Sequence, residues 1–244
     1  MTTAKRIALV TGANKGIGLE ISRNLSGAGC TVLLGARNAE RGRQAVGALE
    51  ESGLSDVHLI EVDVTRQDSV TAAAQQIESE YGRLDILVNN AGVNVRGDGL
   101  PGLADQEAVE RVFDTNFFGA LRVAQAMLPL LRKSSAGRIV NISSGLGSLT
   151  FNSDPSWLGY NTKLIGYGAS KAALNMLTVH LAYELRDTKI KVNSADPGYT
   201  KTDLNNNTGT QPVEVGAIEA TRLALLDDSG PTGRSFSKDG PDPW

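Results

Sequence analysis

The chain has 244 residues, 41% of them hydrophobic and 21% charged, and its net charge of −3 excludes the strongly basic surface typical of nucleic-acid-binding proteins. The first apolar segment, Ile7–Val10, is far too short to span a membrane, no cleavable signal pattern precedes it, and two histidines are too few for a metal cluster. With a single cysteine, Cys30, an intrachain disulfide is excluded, so we expect a cytoplasmic protein that contacts neither membrane nor nucleic acid and holds no metal.

Short runs rich in aliphatic and β-branched residues alternate along the chain with longer segments that carry the helical period. This alternation is typical of a parallel sheet covered by helices on both faces. We therefore predict an α/β fold in one domain, residues 1–244. The predicted strands span residues 6–11, 31–35, 57–62, 84–88, 138–143, 189–195 and 233–237, and the predicted helices span 17–28, 40–51, 67–81, 104–131, 167–185 and 212–225.

A glycine-rich turn, TGANKGIG at residues 11–18, follows the first strand and opens the first helix. Gly12 suits a tight turn, Gly16 lets the backbone approach a pyrophosphate, and Gly18 lets helix and strand pack closely. The helix N-terminus would then offer free N–H groups and a positive dipole end to the phosphates. This context favours a dinucleotide site over an ordinary glycine-rich turn.

The end of the second strand indicates which dinucleotide would bind. An acidic residue there would hold a ribose 2′-hydroxyl and favour NAD, but residues 35–38 read GARN and contain no acid. Arg37 is able to bind a 2′-phosphate, and Lys15 in the glycine turn would add a second cation. Arg37 and Lys15 are each alternatively a solvated surface charge. Together, and with the acidic residue missing, they favour NADPH over NADH.

The third and fourth strands are followed by further polar candidates. Asp63 and Val64 would contact an adenine edge, or Asp63 would cap the next helix. The sequence NNAG at residues 89–92 would contact ribose or brace the sheet. Two loops, residues 94–102 and 146–166, lie at predicted carboxyl ends of strands, which is where ligands bind in such sheets.

Tyr167 and Lys171 are four residues apart on a predicted helix and so share one face. A phenol has an ordinary pKa of about 10, and a neighbouring ammonium would favour the phenolate. The pair would then act as a tuned proton donor and acceptor. The same spacing also occurs by chance on solvated helices, so the pair indicates catalysis only together with the other segments described here.

Taken together and in this order, the segments resemble the short-chain dehydrogenase/reductase family over nearly the whole chain. Within that family the chain is most similar to NADPH-dependent carbonyl reductases. The resemblance implies a single doubly wound Rossmann-type parallel sheet with helices on both faces. The matching segments are residues 11–18, 89–92, TNFFG at 115–119, the Ser143-Ser144 pair, YGASK at 167–171, Pro197-Gly198, Thr202-Asp203, and the tail from residue 230 to 244.

The resemblance also implies a role for each matching residue. Tyr167 would be the general acid of carbonyl reduction, and Lys171 would lower its pKa and bind the nicotinamide ribose. Ser144, with Ser143 as the alternative, would hydrogen-bond the carbonyl oxygen. Asn116 would hold a water that links Lys171 to bulk solvent, or would only brace its helix. The residues expected to bind NADPH or NADP⁺ are Gly12, Asn14, Lys15, Gly16, Ile17, Gly18, Arg37, Asp63, Val64, Asn90, Ala91, Gly92, Tyr167, Lys171, Pro197, Gly198 and Thr202.

The chain departs from the family pattern between the serine and the tyrosine, where about ten residues are inserted. We expect residues 151–165 to shield the following helix, which favours a monomer over a tetramer, and their aromatic side chains to line the substrate site. A solvated surface loop is the alternative. Tyr160 lies in this insertion, but Leu164 stands where a lysine would be needed, so Tyr160 is rejected as proton donor.

The sequence therefore predicts an enzyme that transfers hydride from NADPH to a ketone or aldehyde, giving an alcohol. Its partner would be a small carbonyl compound. One alternative is an alcohol or polyol dehydrogenase that works in the oxidative direction at the same site. The alternative from a different class is a non-catalytic protein that senses NADPH, which would have little need for Asn116, Ser144, Tyr167 and Lys171 together. The sequence does not name the substrate.

Overall fold

The sheet has eight strands in the computed structural model, which describes residues 5–244. The strands are β1 (Ile7–Val10), β2 (Thr31–Ala36), β3 (Val57–Glu61), β4 (Ile86–Asn89), β5 (Arg138–Ile142), β6 (Lys191–Ala195), β7 (Arg234–Ser237) and β8 (Gly240–Asp242). They follow the order β3-β2-β1-β4-β5-β6-β7-β8, and every neighbouring pair is parallel except β7 and β8. The order reverses between β1 and β4, which opens a crevice at their carboxyl ends.

The helices cover both faces of this sheet. They are α1 (Gly16–Gly27), α2 (Ala39–Glu51), α3 (Gln67–Tyr81), α4 (Gln106–Phe113), α5 (Ala120–Leu131), α6 (Leu149–Ser153), α7 (Ile165–Glu184), α8 (Val213–Gly216) and α9 (Ile218–Ala224). A π-helical segment, Asp114–Gly119, joins α4 to α5. None of the helices described is both long and apolar enough to cross a membrane.

Two hydrophobic cores lie on opposite faces because successive strand residues point to opposite sides. In β1, Leu9 packs into the core shared with α3, α5 and α7, while Val10 packs into the core shared with α1, α2 and α9. Both residues are fully buried. The predicted doubly wound parallel sheet with helices on both faces is thereby confirmed.

Strand β8 was not predicted from the sequence. Its three residues, Gly240-Pro241-Asp242, contain no β-branched or aromatic side chain, so no local preference indicates a strand. It forms as an antiparallel edge beside β7, where a proline is tolerated because one side of the strand needs no partner.

Two of the predicted helices are divided in the structure. The helix predicted at 104–131 becomes α4, the π-helical segment and α5, since the Asn116 side chain bonds the backbone of Val93 within that segment. The helix predicted at 212–225 becomes α8 and α9. The break lies at Gly216, where an added Cβ would lie 2.9 Å from the Thr200 methyl group. The backbone of Gly216 therefore packs closely against Thr200 at the point where α8 ends.

Candidate active site

The glycine turn between β1 and α1 has the backbone that its glycines permit. Gly12 and Gly16 have φ of +63° and +59°, a region that side chains disfavour. A Cβ on Gly12 would lie 2.9 Å from the Ala91 Cα, and one on Gly18 would lie 2.9 Å from the Gly12 oxygen. Helix α1 begins at Gly16 without a side-chain cap, so its first N–H groups face the crevice. Asn14 and Ile17 lie half-buried in and after this turn.

Thr11 and Asn90 fix this turn to the end of β4. The Thr11 hydroxyl accepts hydrogen bonds from the backbone N–H groups of Asn90 and Ala91, at 3.0 and 3.1 Å. The Asn90 amide donates to the carbonyls of Thr11 and Gly12, at 2.9 and 3.2 Å. Asn90 therefore braces the cradle in which a pyrophosphate would lie.

Arg37 and Lys15 lie near the two ends of this cradle. Arg37 follows β2, is exposed, and forms no ion pair or side-chain hydrogen bond with any residue from 5 to 244. Lys15 is ion-paired with Asp203, with Nζ 2.6 Å from Oδ2, and both side chains are more than half exposed. An ion pair this exposed is weak because water screens it, so it does not prevent Lys15 from turning to a phosphate.

Asp63 has a local hydrogen-bonding role. Its Oδ1 accepts from the backbone N–H and the hydroxyl of Thr65, at 3.0 and 2.7 Å. Its own N–H donates to Ser69, near the start of α3. Val64 is buried, and its side chain meets Gly119, where a Cβ would lie 2.8 Å away.

Tyr167 and Ser144 are brought together at the carboxyl end of β5. Burial raises the pKa of the Tyr167 phenol, and the nearby Ser144 hydroxyl opposes this rise. The neighbouring Ser143 is fully buried, and its hydroxyl donates to Asn175 at 2.6 Å. Because Ser143 is committed to this structural bond, the geometry favours Ser144 for the contact with a substrate oxygen.

Lys171 and Asn116 meet beside Gly92. A Cβ on Gly92 would lie 3.5 Å from Asn116 Oδ1 and 3.6 Å from Lys171 Nζ. The ammonium of Lys171 donates to the Ile142 carbonyl at 2.7 Å and lies 5.5 Å from the centre of the Tyr167 ring. Both N–H groups of the Asn116 amide are taken, by the Val93 carbonyl at 3.0 Å and by a hydroxyl of α7 at 3.1 Å. The Asn116 side chain thus braces the π-helical segment against its neighbours, and its role in holding a water stays a prediction.

The protonation of the pair differs from the expectation based on spacing alone. Burial raises the pKa of Tyr167 above its ordinary value, and the Asp196 carboxylate adds to this, against the opposing bond from Ser144. Burial lowers the pKa of Lys171 to about 8, while Asp196 favours its charged form. Tyr167 therefore keeps its proton at neutral pH, because burial and the Asp196 carboxylate both disfavour the phenolate.

Asp98 holds the N-terminus of the helix that carries Tyr167. Its two carboxylate oxygens accept the backbone N–H groups of Gly166 and Tyr167, each at 2.8 Å. Helix α7 has no cap of its own, since Leu164 occupies the cap position. The loop after β4 thus supplies a cap from 68 residues away and fixes the helix relative to the crevice.

The turn after β6 completes the crevice. Gly198 has φ of +65°, and the Pro197 carbonyl accepts a hydrogen bond from Thr200 at 2.8 Å. Thr202 opens a short 3₁₀ turn and faces the glycine turn, where a Cβ on Gly16 would lie 3.6 Å from its methyl group. Most of the residues predicted to bind the cofactor therefore lie around the carboxyl ends of β1, β4, β5 and β6. Arg37, Asp63 and Val64 follow β2 and β3, and their contact with a cofactor stays a prediction.

Comparison with known proteins agrees with this arrangement. A family model described as short chain dehydrogenase matches residues 6–212. The chain belongs to the short-chain dehydrogenase family. This family is one of oxidoreductases, and the match spans the glycine turn, the Tyr167–Lys171 pair and the Pro197-Gly198 turn.

Similar members of the short-chain dehydrogenase family come from plants and an animal. Short-chain dehydrogenase/reductase 1 of Saponaria officinalis is 35% identical over 293 aligned positions, which cover 98% of this chain and 96% of the relative. The structure of salutaridine reductase from Papaver somniferum is 31% identical with a TM-score of 0.83, covering 96% and 100% of the two chains. NADPH-bound carbonyl reductase from chicken fatty liver is 26% identical with a TM-score of 0.85, covering 99% and 100%.

Two residues near this short-chain dehydrogenase site, Asp98 and Asp196, are not indicated by the sequence motifs. Asp98 lies in the loop at residues 94–102 that the sequence marked as a ligand loop, and the missing cap of α7 was the available signal. Asp196 immediately precedes Pro197-Gly198, and a charged residue at the end of a buried strand was its signal. Neither contact follows from local spacing, because each joins segments distant in the chain.

The insertion before α7 forms the short helix α6 and a pair of stacked rings. Phe151 and Trp157 have ring centres 5.3 Å apart and planes inclined by 10°. Helix α7 nevertheless keeps four large apolar side chains exposed, namely Ile165, Met176, Val179 and Tyr183. The insertion therefore does not shield this helix along its length, and both the monomer and the lining of the substrate site stay predictions.

Proposed function

We propose that this protein reduces ketones or aldehydes with NADPH and that Tyr167 is the proton donor. The observation that carries the proposal is the meeting of Tyr167, Ser144 and Lys171 at one end of the crevice, with the phenol kept protonated. The similarity to salutaridine reductase and to an NADPH-bound carbonyl reductase supports the same reaction class.

The residues of the crevice fit a phosphorylated dinucleotide. Gly12, Gly16 and Gly18 leave a cradle that any Cβ would narrow, and the uncapped start of α1 offers N–H groups to a pyrophosphate. Arg37 would bind the 2′-phosphate with its guanidinium, and Lys15 would add a second cation once it leaves Asp203. Pro197, Gly198 and Thr202 would hold the nicotinamide end opposite Tyr167.

The protein residues would stabilise charge on the carbonyl oxygen while a proton is delivered. NADPH, when bound, supplies the hydride that reaches the carbonyl carbon. Ser144 and Tyr167 would donate hydrogen bonds to the carbonyl oxygen, and the phenolic proton of Tyr167 would move to that oxygen, giving an alcohol. Lys171 would stabilise the phenolate left behind, and Asn116 would help return a proton through a water.

The protonated phenol suits the step in which an acid is needed. Reduction uses Tyr167 as the phenol and oxidation uses it as the phenolate, so its raised pKa supports the role of acid near neutral pH, while the ratio of NADPH to NADP⁺ sets the net direction at a site that runs both ways. An alcohol or polyol dehydrogenase would require this phenol to lose its proton more readily. A non-catalytic NADPH sensor would have no use for a serine and a buried lysine beside the phenol.

The test is a panel of ketones and aldehydes offered with NADPH or NADH while nicotinamide absorbance is followed. We expect NADPH to be consumed with at least one carbonyl, and faster than NADH. The product alcohols with NADP⁺ form the reverse assay. Tight NADPH binding by fluorescence without consumption across the panel would replace the proposal with the sensor alternative, and faster oxidation at neutral pH would replace it with a dehydrogenase.

A further inference from the structure

Residues 144–147, which we call the Ser144 turn, pack directly on helix α7. A Cβ on Gly147 would lie 2.8 Å from the Lys171 Cβ, so the turn touches the helix where the lysine leaves it. A Cβ on Gly168 of α7 would lie 3.0 Å from the Leu146 carbonyl oxygen. Because glycine stands at both points of contact, the backbones of turn and helix approach each other closely.

Asn175, one helical turn beyond Lys171, bonds the chain on both sides of Ser144. Its Oδ1 accepts the Ser143 hydroxyl at 2.6 Å, and its Nδ2 donates to the Gly147 carbonyl over a longer 3.4 Å. Asn175 is only 6% exposed and Ser143 only 1%. Breaking a hydrogen bond between two groups this buried is costly, because neither side chain is able to turn to water instead.

The hydroxyl of Ser144 takes its direction from this turn. Its oxygen accepts the Leu146 N–H at 3.2 Å, and the Ser144 carbonyl accepts the Gly147 N–H at 2.8 Å. A serine hydroxyl has one hydrogen to donate besides the bonds that it accepts. Since the oxygen and the carbonyl of Ser144 are both bonded within the turn, the position from which that hydrogen is donated moves with the turn as a whole.

A second asparagine holds the same turn from the opposite side. Asn152 is half-buried on α6, and its Nδ2 donates to the Leu146 carbonyl at 2.9 Å. This bond fixes the Ser144 turn to the insertion. The bond of Asn175 instead fixes the turn to the helix that carries Tyr167, so it is the one that sets the serine relative to the phenol.

We propose that Asn175 is a positioning residue, which holds the Ser144 hydroxyl at a fixed place relative to Tyr167 by tying the Ser144 turn to α7. The inference rests on the proposed function for its effect on turnover, while its effect on the turn concerns the protein alone. Tyr167, Lys171 and Asn175 follow one another at intervals of four residues along α7. One rigid helix thereby sets the acid, the ammonium and the serine turn, and misplacing a reacting group by about 1 Å costs up to about 10²-fold in rate.

The first test measures the turn without cofactor or substrate. Mass spectrometry follows hydrogen exchange in peptides that cover residues 144–148. In Asn175→Ala we expect these amides to exchange about 2–10-fold faster, because the turn loses its bonds to α7. Strand β2, whose six residues are all buried, is the internal reference for wider opening. His180→Ala, an exposed position on the same helix, is the matched control and should leave exchange in the turn unchanged.

The second test measures turnover of the carbonyl that the wild type consumes fastest in the panel above. Ser144→Ala removes the donor itself, so kcat should fall by about 10²–10³. Asn175→Ala keeps the donor but loosens its placement, so kcat should fall by about 10–10² with the NADPH dissociation constant nearly unchanged. The double variant Ser144→Ala/Asn175→Ala should be about as slow as Ser144→Ala, because nothing is then left to position.

A further variant separates positioning from stability. Ser143→Ala/Asn175→Leu removes both partners of the buried bond, so no hydroxyl is left unpaired and the melting temperature should return close to that of the wild type. The tether is still absent, so kcat should stay as low as in Asn175→Ala. If Asn175→Ala also speeds exchange in β2, the exchange comparison is made with this variant instead.

The outcomes distinguish this proposal from the proposed function. If the Ser144 turn exchanges alike in wild type and in the variants that lack Asn175, the tether is wrong, whatever the enzyme reduces. If Asn175→Ala slows Ser144→Ala by the same factor as it slows the wild type, or if Ser143→Ala/Asn175→Leu recovers the wild-type kcat, Asn175 does not act through Ser144 and the proposal is overturned. If the wild type consumes no carbonyl while exchange in the turn still depends on Asn175, the proposed function fails and the tether stands.

Discussion

The two halves of the sheet hold their parts of the crevice in different ways. In the half formed by β1–β4, the cradle is set by backbone shape, with two glycines at positive φ and a brace from Thr11 and Asn90. In the half formed by β5–β8, the site depends on side chains that join distant segments, such as Asp98 to α7 and Lys171 to β5.

A chain of buried polar contacts starts at β4 and runs through the second half of the sheet. The Asn89 amide donates to Asn141 at 2.9 Å, and Asn141 donates to Thr178 at 2.8 Å. The Thr178 hydroxyl is 2.8 Å from that of Ser194. These bonds tie β4, β5, β6 and α7 into one unit, and within it only Asn89 Oδ1 is left without a partner among the described residues.

The largest expected effect is a loss of turnover that leaves cofactor binding unchanged, which would distinguish the catalytic half of the sheet from the cofactor half. Tyr167→Phe removes the proposed acid but keeps the ring, so turnover should fall by about 10²–10⁴ while the NADPH dissociation constant stays nearly unchanged. Steady-state kinetics and fluorescence titration measure the two quantities. Tyr160→Phe is the matched control and should keep most of its turnover. Full activity in Tyr167→Phe would refute the acid role.

Arg37→Ala tests the cofactor half. Loss of a charge-assisted contact to a 2′-phosphate should weaken NADPH binding by about 10–100-fold, while NADH binding changes little. Arg41→Ala, an exposed arginine on α2, is the control of equal charge and should change neither constant appreciably. Equal losses for NADPH and NADH in Arg37→Ala would show that Arg37 does not contact the 2′-phosphate.

Gly18→Ala tests whether the cradle depends on backbone approach. The new Cβ would collide with the Asn90 amide and lie 2.9 Å from the Gly12 carbonyl, so we expect a loss of about 1–3 kcal/mol in stability and weaker NADPH binding. Gly27→Ala, at the other end of α1, has no atom within 4 Å of its new Cβ and should be neutral or slightly stabilising. Denaturant unfolding distinguishes them, and equal stability of the two variants would contradict the close packing.

The smallest effect concerns the edge strand of the second half. Burial raises the pKa of Asp242 to about 6, with Ser237 opposing and Asp196 adding, and its Oδ2 has no partner among the described residues. The folded state therefore favours the protonated carboxyl, and this stabilisation is present below about pH 4 and is lost as the pH rises through about 6.

Asp242→Asn keeps this side chain neutral at every pH. Since Asp242 is only half-buried, solvent screening reduces the gain to about 1 kcal/mol or less, so the melting temperature at neutral pH should rise by up to about 2–4 °C. Below about pH 4 the variant and wild type should melt together. A melting difference that is the same at both pH values would show that ionisation of Asp242 is not its cause.

The sequence by itself determined the alternation of strands and helices, the glycine turn, and the pairing of Tyr167 with Lys171. These follow from local patterns, because strand and helix periods and the conformational freedom of glycine are properties of neighbouring residues. It also excluded Tyr160, since the partner at the required spacing is a leucine. The family assignment agrees with the resemblance drawn from those motifs.

Only the tertiary structure decided the rest. It showed that Ser143 is bonded to Asn175, 32 residues away, which favours Ser144 for the proposed contact with substrate. It placed Asp98 at the N-terminus of α7, divided the helix at Asn116, and paired β8 with the edge of the sheet. Each outcome depends on burial or on contacts across the sheet. The chemical consequence is that the pKa of Tyr167 is raised, whereas the spacing to Lys171 predicted that it would be lowered. The physical reason is that desolvation and charge act through space, which the order of residues along the chain does not record.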